Sequence, residues 1–191
     1  MTQIGIKDYW ELKNKVNKNA WLILGKGPSL DKYDPAIHKQ YNILALNHVG
    51  KLVDADICLI HDKEVLDVSI AKRSKYVLMP YHPHVNFRPY PDVYVPFWKN
   101  VYYFNLSTWK GEVNSSSPVV RAKYFSAESA FHVLALFGVK VIYSLGLDGG
   151  TKYSNYFKDL KPLTNGQKSF DKQFGEINKT IAKFKIEYKA I

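Results

Sequence analysis

Five short apolar runs limit what this chain can fold into: WLIL beginning at Trp21, NILAL at Asn42, DICLI at Asp56, KYVLM at Lys75 and KVIYSL at Lys140. Each is nearly continuous in its apolar residues, as expected of strands in a parallel sheet covered on both faces. The spacing predicts strands over Ala20–Leu24, Asn42–Leu46, Asp56–Ile60, Lys75–Met79 and Lys140–Leu145, with a further strand over Asn100–Asn105. Between them lie helical patterns. Lys7–Asn17 predicts a short amphipathic helix, Asp31–Lys39 a helical turn broken at Asp34-Pro35, and Lys63–Ala71 another helix. Ser126 is placed to cap a longer helix that carries Glu128 in its first turn and stops at Gly138. Phe170, Phe174, Ile177, Ile181 and Phe184 share one face of a last helix, and Lys185–Tyr188 adds a closing strand. Strands alternating with helices give the α/β class: a single Rossmann-like domain, with a mostly parallel sheet flanked by helices.

At 191 residues there is room for one well-filled core and not for two, so residues 1–191 are expected to form one domain. Two stretches interrupt it. Six prolines between Pro80 and Pro118 mark an irregular insertion over residues 80–118, and the polar, tyrosine- and lysine-bearing stretch over residues 149–168 reads as a loop or lid. Hydrophobic residues at 46% exclude a disordered chain. The lone Cys58 cannot form an internal disulfide, which points to a reducing, cytoplasmic setting. The N-terminal stretch MTQIGIKDYWELKNK has charges where a signal peptide needs an apolar core, and no later run approaches the ~18 apolar residues of a membrane span, so the protein is expected to be neither exported by that route nor inserted in a membrane. A formal charge of +10 favours polyanions, anionic surfaces or phosphorylated substrates.

Chemistry is expected where the strands end. If they run parallel, the polar groups at Gly25–Ser29, Asn47-His48, His61-Asp62 and Gly146–Asp148 share one edge of the sheet and converge on one cleft. The turn Gly25-Lys26-Gly27-Pro28-Ser29-Leu30 lets a ligand approach the backbone. It lacks the third glycine of a dinucleotide fingerprint, and the chain has no phosphate-binding loop of the ATPase type. With no Cys/His cluster at ligand spacing, no structural metal is expected.

Taken together, the GKGPSL turn, a strand ending in Asn47, and Ser126 opening a helix that leads through LFGVKVIYSLGLD resemble the bacterial sialyltransferases of glycosyltransferase family 42, and the wider DUF115-type proteins that share the GPSL turn. The resemblance is carried by residues 20–47 and 126–156. It implies a metal-independent glycosyltransferase. Gly25, Lys26, Gly27, Pro28 and Ser29 would hold the ribose and phosphate of a CMP-sugar donor. Asn47 and Ser126 would face the nucleotide, Gly146 and Asp148 would lie against the cytidine or its ribose, and Tyr156, assisted by Tyr153, would bind the phosphate. The acceptor so implied is a hydroxyl of an anionic glycan, with homo-oligomerisation a possibility.

Two departures matter. Lys26 replaces the family's asparagine, offering charge in place of amide geometry. The family's catalytic histidine lies beyond the lid, and this chain has no histidine after His132. His61 and Asp62 are therefore the favoured substitutes for the general base, ahead of His82 and His84. His132 is expected to be structural, Tyr102 and Tyr103 to belong to the core, and Trp98 and Trp109 to line an acceptor groove. Three other functions stay open: a glycosyltransferase acting on hydroxymethylated bases of viral DNA, an enzyme like the pterin pyrophosphokinases, and a nucleotide-binding module without catalysis.

Overall fold

The computed structural model describes residues 9–62, 65–82, 100–111, 113 and 115–191. Eight strands form one sheet in the order β6-β5-β4-β3-β2-β1-β7-β8, and every pairing is parallel. They are β1 (Trp21–Leu24), β2 (Asn42–Leu46), β3 (Ala55–Leu59), β4 (Ser74–Pro80), β5 (Val101–Leu106), β6 (Val119–Val120), β7 (Val141–Leu145) and β8 (Glu187–Ala190). The apolar runs are explained by how they divide. In β1, Trp21 and Ile23 enter one core while Leu22 and Leu24 enter the other, and β2 splits Leu44 and Leu46 from Ile43 and Ala45 in the same way. Successive side chains of a strand point to opposite faces, so a strand buried on both sides must be apolar throughout.

Helices cover both faces. Tyr9–Lys13 (α1), Ser126–Phe137 (α3) and Gln173–Phe184 (α4) supply Tyr9, Leu12, Phe131, Leu134 and Ile177 to the first core. The Tyr9 hydroxyl donates to the Val133 carbonyl at 2.7 Å, which satisfies the one polar atom of a fully buried ring. Val68–Arg73 (α2) covers the second face with Ile70, and single turns over Pro28–Lys32, Pro35–Lys39 and Asn47–Lys51 add Leu30 and Val49 there.

The chain leaves β1 in one direction, through β2 to β6, then returns along α3 to lay β7 on the other side of β1. Strand order therefore reverses between β1 and β7. In an open parallel sheet, the crevice beyond the strand ends at such a reversal is where ligands bind.

Several details differ from expectation. The helix read over Lys63–Ala71 begins at Val68, because the Asp67 carboxylate accepts from the Ser69 and Ile70 N–H groups and so caps it there; residues 63–64 lie outside the described residues. Ser126 does not cap α3. Phe125 stands at the capping position, and the Glu128 carboxylate reaches back to accept from the N–H groups of Lys123 (2.5 Å), Tyr124 (3.1 Å) and Phe125 (3.1 Å). The two-residue β6 follows Pro118, where no strand was expected. Of the irregular stretch over 80–118, residues 83–99, 112 and 114 lie outside the described residues, and His84 and Trp98 with them.

Candidate functional site

A cleft of about 730 Å³ opens at the carboxyl edge of the sheet, where strand order reverses. It is built on two turns sewn to each other. The turn after β1 and the turn after β7 exchange four hydrogen bonds: Gly25 N–H to the Leu145 carbonyl (2.8 Å), Gly27 N–H to the Gly146 carbonyl (2.8 Å), Gly146 N–H to the Ser29 Oγ (2.7 Å), and Ser29 N–H to the Asp148 Oδ2 (2.8 Å). This contact is what demands glycine. A Cβ on Gly25 would lie 2.4 Å from the Gly146 carbonyl oxygen, and one on Gly146 would lie 2.2 Å from that of Gly25. Gly146 also sits at φ 77°, in the left-handed region.

The sewing occupies Ser29 and one oxygen of Asp148. Pro28 and Ser29 consequently stand behind the wall, while Gly25, Lys26, Gly27, Gly146 and Asp148 line the cleft.

Lys26 projects from the first turn. Its ammonium lies 4.4 Å from the centroid of the Tyr153 ring, a cation–π contact. Burial lowers its pKa, and the negative charge of Asp62 works against that shift. Burial, assisted by Asp62, raises the Tyr153 hydroxyl. The segment carrying Tyr153 is fastened down on both sides of it. Ser154 N–H donates to the Lys26 carbonyl at 2.7 Å, and Asn155 donates twice to the Asp31 carboxylate, at 2.9 and 2.6 Å. Phe157 anchors this segment in the second core. Its neighbour Tyr156 therefore faces away, 56% exposed and apart from the cleft-lining residues, so the structure brings Tyr153 to the cleft and not Tyr156.

Farther along the expected lid, Leu163, Thr164, Asn165 and Gln167 line the cleft, and Asn165 Nδ2 donates to the Tyr124 carbonyl at 3.0 Å.

The facing wall is organised by Asn47, which holds a left-handed φ of 49°. Its Nδ2 donates to the Ser126 Oγ at 3.1 Å, and its Oδ1 accepts from the His61 N–H at 3.0 Å. One side chain thus joins the ends of β2 and β3 to the start of α3. His61 is 3% exposed, with its ring 6.0 Å from that of Phe104; Asp62, next to it, is exposed at the rim. His82 is elsewhere, stacked on Trp109 with centroids 4.4 Å apart, and neither residue lines the cleft. His132 is buried in α3, its Nδ1 accepting from the Arg121 N–H at 3.1 Å. Tyr102 and Tyr103 are buried in the two cores.

Sequence reasoning passed over three cleft-lining lysines. Lys123, Lys152 and Lys161 join Lys26, so that four lysines and two aspartates, Asp62 and Asp148, are the charged groups lining the cleft. Such a surplus in a concave site attracts anions. His48 lines it too. Burial, Lys26 and Lys51 together push its pKa down to about 4, so its ring is neutral at pH 7. His48 was expected at the cleft, because it follows Asn47 at the end of a buried strand. Among the described residues, no group of three or more His, Cys, Asp or Glu is placed to hold a metal ion. No helix among them is long and apolar enough to cross a membrane.

No family model matches the chain, and no curated protein does. Among solved structures it is similar to the crystal structure of the sialyltransferase CST-II in complex with a trisaccharide acceptor and CMP. The TM-score is 0.50 at 14% identity, covering 91% of this chain and 80% of that one. At that identity the likeness is one of fold, and the fold is one that a glycosyltransferase uses.

Proposed function

We propose that this chain is a metal-independent, sialyltransferase-like glycosyltransferase of the family 42 kind, moving a sugar from a CMP-linked donor to a hydroxyl of an anionic glycan. The observation that carries the reading is the pair of sewn glycine turns at the strand-order reversal, with Lys26 projecting from them into a lysine-rich cleft. The likeness in fold to an enzyme solved with CMP and a trisaccharide acceptor supports it.

In this reading the Gly25–Gly27 turn aims the Lys26 ammonium at the donor phosphate, and Tyr153 flanks it. Gly146 and the unoccupied oxygen of Asp148 lie against the nucleoside, and Asn47 and Ser126 shape the opposite wall. Asp62 is the better base of the two candidates. It stands open at the rim near Lys26 and Tyr153, while His61 is enclosed against Phe104. The acceptor hydroxyl gives its proton to Asp62 as its oxygen bonds to the anomeric carbon. The bond from that carbon to the phosphate oxygen breaks, and CMP leaves with its new charge facing Lys26.

A thermal-shift series with CMP, UDP and GDP tests the binding half of this reading. CMP at about a hundred times its Kd is expected to add roughly 2.7 kcal/mol of stability, and a flat response to all three removes the proposal. Lys26→Ala is expected to weaken CMP binding by about 10- to 100-fold while leaving the midpoint of unfolding without ligand nearly unchanged.

The absence of a histidine beyond His132 favours a second reading, a nucleotide-binding module without catalysis. It predicts CMP binding with no release of sugar from CMP-linked donors and no change on Asp62→Ala. Binding to duplex DNA that weakens steeply with salt would redirect the acceptor from glycan to nucleic acid. We propose a cytoplasmic setting, a reading that the lone, buried thiol of Cys58 supports.

A further inference from the structure

Among the polar side chains of the cleft that the proposed transfer leaves without a role is that of His48. His48 lies in the turn Asn47–Lys51, between Asn47, held at both ends of its amide, and the buried Val49. Its Nδ1 is buried and has no hydrogen-bond partner among the described residues. Protein interiors rarely leave such an atom unpaired, so this nitrogen finds its partner when the ring turns towards a group that enters the cleft.

The surroundings indicate what that is. Lys26 comes from the turn after β1 and Lys51 from the same turn as His48. Asp67, ahead of α2, is held by Lys51 at 2.6 Å, and the edge of the Phe157 ring closes the remaining side. The other charged groups of the cleft are Asp62, Asp148, Lys123, Lys152 and Lys161. Empty, the site sets two cations and one already paired carboxylate around a neutral imidazole. An anionic group entering beside Lys26 reverses that balance and gives a ring N–H an acceptor.

We propose that His48 and Lys26 together hold the anionic group of the nucleotide, and that His48 does so as an imidazolium, so that binding draws a proton from solution. The inference rests on the nucleotide reading and makes His48 a specificity-determining residue within it. The sign is fixed by linkage. A ring that binds its proton more tightly in the complex than in the free protein strengthens binding as pH falls from 8 towards 6. The second ionisation of the CMP phosphate works in the opposite sense over that range, so the contribution of His48 is read as the difference between the native protein and a variant that cannot titrate.

Calorimetric titration of CMP at pH 7, in two buffers of different ionisation enthalpy, makes that comparison between the native protein and His48→Gln. The native protein is expected to take up about half a proton more, and His48→Gln to bind about tenfold more weakly at pH 6 with the gap closing towards pH 8. The ring resonances of His48 in the native protein give a second measure that needs no variant: their titration midpoint should rise from about 4 to about 7 when CMP is added. Equal proton uptake in both proteins, or an unmoved midpoint with CMP bound, overturns the role of His48 and leaves the nucleotide reading in place. If CMP, UDP and GDP all fail to bind, the nucleotide reading falls, and inorganic pyrophosphate is titrated instead. Excess proton uptake by the native protein then sustains His48 as an anion-binding residue, and no uptake or no binding removes it.

Discussion

Gly146→Ala is expected to destabilise the protein by about 3 kcal/mol and to abolish nucleotide binding, whereas Gly150→Ala, four residues farther on, costs about 1 kcal/mol and leaves binding intact. Both glycines have positive φ, 77° and 61°, so each alanine pays about 1 kcal/mol for the left-handed conformation. They differ in what surrounds them. The alanine methyl at 146 would meet the Gly25 carbonyl oxygen at 2.2 Å, and that oxygen is backbone and cannot rotate away; a methyl at 150 would meet nothing within 4 Å. Relieving the overlap forces the two turns apart and strains the four hydrogen bonds between them, a penalty of the size seen when a packed interior is overfilled. Urea denaturation of the two variants checks the contrast, and in a thermal melt Gly146→Ala should lose roughly 6–12 °C. Equal midpoints for both would mean that the turns can separate freely, which removes the structural basis of the cleft.

Glu128→Ala is expected to cost about 3 kcal/mol. The carboxylate is 2% exposed and accepts three successive backbone N–H groups, those of Lys123, Tyr124 and Phe125. Deleting it leaves three donors at a helix start without their acceptor, each a partly buried group that folding has taken out of bulk water. Burial raises the Glu128 pKa, against the pull of those N–H groups, so the site tolerates an uncharged acceptor better than none. Glu128→Gln should therefore recover about half of the loss. Because Lys123–Ser126 form one wall of the cleft, ligand affinity should fall in the order native, Glu128→Gln, Glu128→Ala. Denaturant midpoints and CMP titrations on the three proteins, ranked together, test both halves.

The strands were legible because their evidence is local. NILAL is a strand over the same residues that the pattern marks, and the other predicted strands differ by one or two residues at an end. Burial on both faces writes itself into consecutive residues. The convergence of strand ends was legible for a related reason, since it follows from parallel order alone. What escaped depends on partners far apart in the chain. Ser29 and Asp148 fasten one turn to another across 119 positions, and no spacing announces that pairing. Ser126 looks like a cap until its hydroxyl is found opposite Asn47 and the capping is done by Glu128 from inside the helix. Tyr156 and Tyr153 cannot be ranked from composition. Phe157 decides between them by entering the core and turning its neighbour outward. The strand β6, two residues long, is too short to carry a period.

The central position of β1 also fixes when the cleft can exist. Its Trp21 pairs with Asn42 on one side, 21 positions away, but with Ile142 on the other, 121 positions away. A chain emerging from the ribosome amino end first can thus lay down β1 to β6 while the far edge of β1, WLIL, stays bare. Pairings so distant in sequence close slowly, and an apolar strand edge held open is a template for another chain. The ligand pocket is consequently made late, when β7 arrives and, of the α-helices and strands, only α4 and β8 are still to follow. The same arrival covers the bare edge of β1, so the step that builds the cleft also removes a template for misassembly.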